Sequence, residues 1–361
     1  MKKNNSLIDQ DLSSIFFKKN NTIKNALKQI NKTGEKCLII IDGDNRLLGT
    51  LSDGDLRRAI LRGIDTSNII DDFYQKKPIL LTKGKYNNKQ VKKIFLDTKI
   101  DLIPVINDNN EVIDIVTWSK VFKNDKKIKE KVFKNVPVVI MAGGKGTRME
   151  PFTKILPKPL IPVHGRPIIE NIIERFTNLG CRDFYLTVNY KSKIMKAYFE
   201  ELQPDYGANF VEEKEPLGTA GSLRLLMGQF NQPFFVTNCD IIIKIDYASL
   251  LEFHKKGGYD ITLVASAKEY IIPYGTCELN RDGHLSHINE KPKYDFLINT
   301  GLYVMDPDIL GLIPPNKFYH ITHLIEEAKN QGKKVGVYPI DDDSWIDVGQ
   351  WAEYRKVVDR L

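Results

Sequence analysis

The chain has 361 residues and 53 Lys+Arg against 46 Asp+Glu, a formal net charge of +7; 42 % of the residues are hydrophobic and 27 % charged. That length suggests two domains, and that balance is ordinary for a globular chain, which excludes a disordered or collagen-like polymer. No stretch approaches the ~18 apolar residues of a membrane span, and no apolar run follows the basic start, so neither a membrane partner nor a secretory signal is expected. Cys37, Cys181, Cys239 and Cys277 are scattered, forming neither a disulfide framework nor a metal knuckle, which points to a reducing cytoplasm. The basic excess sits in residues 1–136, with 27 Lys+Arg against 17 Asp+Glu; residues 137–361 hold 26 against 29. Part of it is the run Asp125–Lys134, which reads as a solvated linker, so the charge does not argue for nucleic acid.

The first third contains an internal repeat. Cys37–Leu56 (CLIIIDGDNRLLGTLSDGDL) aligns without a gap on Leu102–Val121 (LIPVINDNNEVIDIVTWSKV), an offset of 65. Each copy runs apolar strand, polar turn, apolar strand, helix start, and the turns are rich in Asp, Asn and Gly, which tolerate tight hairpin geometry. A helical pattern precedes each copy; in the first, Ile23, Ala26, Leu27 and Ile30 fall on one face.

This β-α-β-β-α unit, present twice over about Ser14–Phe122, resembles the CBS-domain pair. The resemblance implies a pocket for an adenine or guanine nucleotide built on Ser52 and Asp55, within Gly49-Thr50-Leu51-Ser52-Asp53-Gly54-Asp55. In the second copy Gly49 becomes Asp114, Ser52 becomes Thr117 and Asp55 becomes Lys120, so at most one conventional pocket remains. The alternative is a pair that only dimerises or packs. CBS pairs commonly associate face to face, which implies a homodimer.

From Pro137 the pattern changes. A buried apolar run, Val136–Met141, leads into the glycine-rich loop Ala142-Gly143-Gly144-Lys145-Gly146-Thr147-Arg148. Helical and strand patterns then alternate, which predicts an α/β domain with a mostly parallel sheet and ligands at the carboxyl ends of its strands. The division expected is therefore 1–125, a basic linker 126–136, and 137–361. The loop lets backbone N–H groups approach phosphate closely, yet it is neither a Walker A loop nor a dinucleotide fingerprint. Leu156-Pro157-Lys158-Pro159-Leu160 follows, with prolines fixing a lysine at the edge of the same cleft.

These two motifs, with Glu215–Gly221 (EPLGTAG), Asn238-Cys239-Asp240, Glu290-Lys291-Pro292, Asn299-Thr300-Gly301 and Trp345–Gly349 (WIDVG) in order, resemble the sugar-phosphate nucleotidyltransferases over residues 137–361. The resemblance implies a Rossmann-like mixed sheet and attack of a sugar 1-phosphate oxygen on the α-phosphorus of a nucleoside triphosphate. Because the nucleophile is already an anion, the work is positioning and charge neutralisation. It assigns Arg148 to the triphosphate, Lys158 to phosphate near the reacting centre, and Lys291 to the sugar phosphate. Ala142, Gly143, Gly144, Gly146, Thr147, Gly218 and Thr219 hold the nucleotide; Gly275, Glu290 and Asn299 meet the sugar. Asp240 and Asp347 hold Mg²⁺, two hard carboxylates suited to an ion that keeps several waters. Cys239 stands where relatives usually carry glycine. Taken singly, Asp240 could cap a turn and Asp347 could be a surface acid. Trp345 and Trp351 read as packing residues, His284/His287 and His320/His323 as side chains without a metal, and Asp341-Asp342-Asp343 as a solvated loop.

Five residues before Gly218, where pyrimidine-specific members carry glutamine, stands Glu213. An ionised carboxylate accepts from the two adjacent donors of guanine and faces an acceptor on a uracil imide, which predicts GTP. Glu212 and Glu215 are near enough to leave the register open. For the sugar, a CBS pair ahead of the transferase resembles a branch of the family that takes glucosamine 1-phosphate; mannose 1-phosphate and a heptose 1-phosphate fit the same motifs. A reading of another class is a nucleotide sensor whose transferase domain is inactive, against which the intact Arg148, Lys158, Asp240, Lys291 and Asp347 argue.

Overall fold

The computed structural model describes residues 12–98, 100–121, 133, 135–163 and 165–358. Most of the basic linker therefore lies outside the described residues. The chain forms two compact units, Met1–Asn124 with Glu269–Phe296, and Asp125–Lys268 with Leu297–Leu361. The sequence keeps 137–361 together, whereas the fold groups the arm Glu269–Phe296 with the N-terminal unit.

In the first unit the repeat is reproduced to the level of register. Strand Phe16–Lys18 runs parallel to Cys37–Ile41, which pairs antiparallel with Leu47–Ser52. In the second copy Leu81–Thr82 is parallel to Leu102–Ile106, which pairs antiparallel with Val112–Thr117. Cys37 faces Ser52 and Leu102 faces Thr117, and the register slips at Ile40/Ile41 and again at Val105/Ile106, the same place in each copy. Both turns need one residue in the left-handed region, and both place asparagine there, Asn45 (φ 60°) and Asn110 (φ 64°). The two turns bond to each other, Leu47 N–H to Asn110 O at 2.9 Å and Val112 N–H to Asn45 O at 3.1 Å. One apolar cluster, including Cys37, Ile39, Leu47, Leu102 and Val112, joins the copies.

Helix Ile23–Thr33 buries Ile23, Ala26, Leu27 and Ile30, the face its periodicity predicts. It starts at Thr22, whose hydroxyl accepts from Asn25 N–H, and stops at Gly34 in the left-handed conformation. Its apolar face packs on Leu38 and Ile40 of strand Cys37–Ile41, whose other face, Cys37, Ile39 and Ile41, enters the cluster that joins the copies.

The second unit is a seven-stranded mixed sheet. Its order is 207–212, 183–188, 138–141, 234–238, 293–305, 261–271, 335–341. The first four strands are mutually parallel, and Lys293–Met305 runs antiparallel to Phe234–Asn238. Strand Val138–Met141 is buried throughout, and its alternate residues enter different cores. Val138 and Ile140 join the cluster of helix Ile168–Thr177, while Val139 and Met141 join that of helix Ile321–Asn330. Alternation across a strand covered on both faces yields a continuous apolar run of this kind.

Two smaller expectations meet the structure here. Trp351 packs its ring 5.2 Å from that of Phe152 and donates its indole N–H to Glu150 O at 2.8 Å. Asp341, expected in a solvated loop, is instead buried at the end of strand Val335–Asp341, where it accepts from Asp343 N–H and Ser344 Oγ, both at 2.9 Å. Burial pushes its carboxyl above the ordinary range, so the acidic run is a cap at its first residue.

Candidate active site

A cleft of about 350 Å³ opens in the second unit where strands 138–141, 183–188 and 234–238 end, at Met141, Thr187 and Asn238. This is the carboxyl edge of the parallel strands, where α/β sheets place ligands. The glycine loop forms one wall through Gly143, Gly144, Gly146, Thr147 and Arg148. Ala142 does not reach the cleft; it is buried and donates its N–H to Thr187 O at 2.9 Å, anchoring the loop's root.

Lys158 follows Pro157 and opens a tight turn, Lys158–Leu160, which keeps its side chain buried. Its ammonium pairs with Asp240 Oδ2, and Arg148 lies 3.9 Å from the same oxygen. The Arg148 side chain is 63 % exposed, so its guanidinium is available to a ligand in the cleft. Asp240 follows strand Phe234–Asn238 and is itself buried. Cys239 just before it is also buried, and burial pushes its thiol up to about 12. Its backbone is not left-handed, so the position does not require the glycine that relatives usually carry.

Asp347 comes to the same place along a different strand. Trp345–Asp347 pairs antiparallel with Ile241–Ile243, setting Asp347 opposite Ile241, and Val348 N–H donates to Asp240 O at 2.9 Å. Gly349 shows how close the groups are. A Cβ there would lie 2.7 Å from Lys158 Nζ, 2.9 Å from Asp347 Oδ1 and hard against Asp240 Oδ2. Two carboxylates and an ammonium thus converge on a point kept open by a missing side chain. Among the described residues no group of three or more His, Cys, Asp or Glu forms a cage for a metal. The two hard oxygen donors, Asp240 and Asp347, fit a divalent cation that takes its other ligands from phosphate and water.

Glu213 also lines the cleft. It follows strand Gly207–Glu212, held by its own N–H on Val188 O and by Asn189 Nδ2 on its carbonyl. Its carboxylate accepts from Leu217 N–H at 2.9 Å through Oε2, while Oε1 lies against Gly143, where any Cβ would strike it. Burial raises the Glu213 carboxyl above the ordinary range, and the Leu217 N–H partly offsets this. Glu212 instead pairs with Lys196 at 2.7 Å, so the carboxylate in the cleft is the one the counting selects.

The remaining wall was not legible in the motifs. Tyr319 N–H donates to Leu217 O at 2.8 Å and Ala220 N–H to Tyr319 O at 2.9 Å, which stitches the Gly218–Thr219 turn to a distant segment. Thr219 Oγ1 accepts from Ile321 N–H at 2.9 Å. That stitching brings Phe318 and His320 to the cleft. The His320 ring lies 4.8 Å from Phe318 and 5.4 Å from His323, both edge-to-face contacts.

The sugar residues are distributed differently. Asn299 does not line the cleft; its amide donates to the Tyr303 hydroxyl at 2.9 Å and accepts from Gly301 N–H at 3.1 Å. Gly275, Glu290 and Lys291 lie on the arm of the first unit. Gly275 and Glu290 are adjacent there, with Glu290 Oε2 3.1 Å from where a Gly275 Cβ would be, and Lys291 holds a left-handed φ of 46°. In the first repeat, Ser52 and Asp55 bond to each other: Ser52 Oγ donates to Asp55 Oδ2 at 2.6 Å within a reciprocal cap of helix Asp53–Leu61.

Residues 137–361 match the family described as nucleotidyl transferase. The chain belongs to that family. Residues 11–62, the first repeat, match the CBS domain. Among curated relatives, the mannose-1-phosphate guanyltransferase of Pichia angusta is 38 % identical over 231 residues, 60 % of this chain and 61 % of that protein. The mannose-1-phosphate guanyltransferase of Saccharomyces cerevisiae is 36 % identical, covering 60 % and 62 %. The chain thus spans about three fifths of the length of these relatives. The crystal structure of HddC from Yersinia pseudotuberculosis has the same fold, with a TM-score of 0.50 and 24 % identity over 62 % of this chain and 99 % of that one.

Proposed function

We propose that the chain transfers GMP from GTP to a sugar 1-phosphate, giving a GDP-sugar and pyrophosphate. The observation that carries this is the buried Glu213 carboxylate in the same cleft as Arg148, Lys158 and Asp240. An ionised glutamate accepts from guanine N1–H and the 2-amino group together, and a uracil imide would meet it with a carbonyl. The sugar phosphate oxygen forms a bond to the α-phosphorus, the bond to the β-phosphate oxygen breaks, and pyrophosphate leaves with its electron pair; no proton moves. Mg²⁺ between Asp240 and Asp347 would supply charge neutralisation on the phosphates. The chain's own groups do the rest. Glycine-loop N–H groups cradle the phosphates, Arg148 steadies the departing pyrophosphate, and Lys158 holds the reacting centre against Asp240. Gly275, Glu290, Lys291 and Asn299 are the proposed sugar 1-phosphate contacts.

The mannose-1-phosphate guanyltransferases among the relatives favour mannose 1-phosphate. The CBS repeat favours glucosamine 1-phosphate, because that architecture resembles the glucosamine-1-phosphate guanylyltransferase of the bacterial legionaminic acid pathway. Nucleotide binding at the CBS pair, homodimerisation through it and action in the cytoplasm belong to the same reading. Pyrophosphate release measured with GTP, UTP and Mg²⁺ on glucosamine, mannose and heptose 1-phosphates tests it and names the sugar. Turnover with GTP on one of them is expected. Glu213→Gln lowers the preference for GTP over UTP by roughly ten-fold or more, the scale of a lost bidentate contact. No turnover on any sugar returns the chain to the class of nucleotide sensors, and an unchanged preference removes Glu213 from base recognition.

A further inference from the structure

The arm Glu269–Phe296 has no core of its own. None of its residues is buried, and Tyr274, Leu279, Leu285 and Ile288 are all more than half exposed. Its centre is one two-stranded hairpin, Thr276–Leu279 on Leu285–Asn289, a structure that is marginal alone. Its two ends, Glu269–Ile271 and Lys293–Phe296, belong to strands Ile261–Ile271 and Lys293–Met305, and both ends meet one lysine of the first CBS repeat. Lys24 Nζ lies 3.3 Å from Glu269 Oε2, where the arm begins, and 3.8 Å from Asp295 Oδ1, where it ends. Asp295 Oδ2 also accepts from the Thr66 hydroxyl at 3.0 Å, and Thr66 O accepts from Lys24 N–H at 3.0 Å. Thr66 is buried and the three charged side chains are 17–28 % exposed, so solvent screens these contacts less than it would on an open surface. Asp65 touches Asp295 as well, and Lys293 stands 3.9 Å from Glu269. Lys24 is thus the cation common to both ends of the arm, in a group that is otherwise mostly acidic.

We propose that Lys24, Thr66 and Asp295 form a latch by which the CBS repeat positions the sugar 1-phosphate arm. This rests on reading Gly275, Glu290 and Lys291, all on that arm, as sugar 1-phosphate contacts. The residues of the latch are positioning residues; they act through the root of the arm on contacts made further along it. The latch gives the fused repeat a part in substrate binding that needs no nucleotide at the repeat itself. Loosening it weakens the sugar substrate and leaves GTP, held by the glycine loop and Glu213, as it was.

The test uses the full chain carrying Lys24→Met, Asp295→Asn, both together, or Lys24→Arg. With mannose 1-phosphate or glucosamine 1-phosphate, whichever turns over, each of the first two raises the sugar KM by roughly three- to ten-fold with the KM for GTP unchanged. The double variant is no worse than the poorer single one, and Lys24→Arg restores most of the loss. Hydrogen exchange of segment 276–289 quickens in the same variants. A sugar KM that stays put in a working enzyme overturns the proposal, as does an equal change in both substrates, which is the mark of general destabilisation. Should the wild-type chain turn over no sugar 1-phosphate, the activity reading fails separately, and exchange decides the latch: faster exchange supports it and unchanged exchange overturns it.

Discussion

At the scale of single residues, the site depends as much on what is missing as on what is present. Gly349 has an ordinary backbone conformation, so alanine there meets no strain in the chain itself. Its added Cβ would instead enter the space shared by Lys158, Asp347 and Asp240. One of the three must move, and on the proposed function these groups hold phosphate and cation in a reaction that runs on positioning, where a displacement of a fraction of an ångström is costly. Gly349→Ala is therefore expected to lower kcat/KM by about 100-fold, with far-ultraviolet circular dichroism unchanged. Steady-state kinetics beside a thermal melt checks this; loss of activity only in step with loss of folded protein would show that the glycine serves folding instead.

At the scale of elements, Ser52 and Asp55 show how one motif supports two readings. In sequence they match a ligand pattern; in the fold they make a capping box, with Ser52 accepting from Asp55 N–H and Asp55 Oδ2 accepting from Ser52 N–H at 2.9 Å. Ser52→Ala removes half of that cap and is expected to cost about 1 kcal/mol of stability, and Asp55→Ala about the same. The two share one network, so the double variant falls short of the sum. Denaturant unfolding of the three variants measures it, and strict additivity would mean that the residues stabilise the helix independently. The same distinction explains what the sequence could convey. Helix faces, the paired hairpins and the glycine-loop strand were legible because burial imposes a period on the chain: Ile23, Ala26, Leu27 and Ile30 are spaced for a helix, and Val138–Met141 is apolar throughout because both its faces are covered. Glu213 was legible by counting from Gly218. Phe318 and His320 were not, because backbone bonds from Leu217 and Ala220 bring them to the cleft and carry no side-chain signal. Nor was the place of the arm, since Lys24, Thr66 and Asp295 are isolated polar residues in sequence and become neighbours only through tertiary contact.

At the scale of the whole molecule, each unit holds its own apolar core. Among the described residues the first has three clusters, one within each repeat and one joining them, and the second has two, one on either face of its sheet. Units with separate cores unfold as separate cooperative blocks. Calorimetry of the full chain is therefore expected to show two transitions. On the proposed function GTP with Mg²⁺ and no sugar binds the native second unit, and at about 100 times its Kd it would add about 2.7 kcal/mol of stability. For a unit of that size this raises the matching transition by about 5–10 °C. The other transition should stay in place with GTP, and its response to AMP or ATP separates the two readings of the CBS pair. A rise with an adenine nucleotide means that the repeat binds it, despite the bond between Ser52 and Asp55. No response to any nucleotide leaves the pair a packing and positioning element, the role proposed for it from the contacts of Lys24 and Thr66. A single transition with equal calorimetric and van't Hoff enthalpies would show that the units unfold as one.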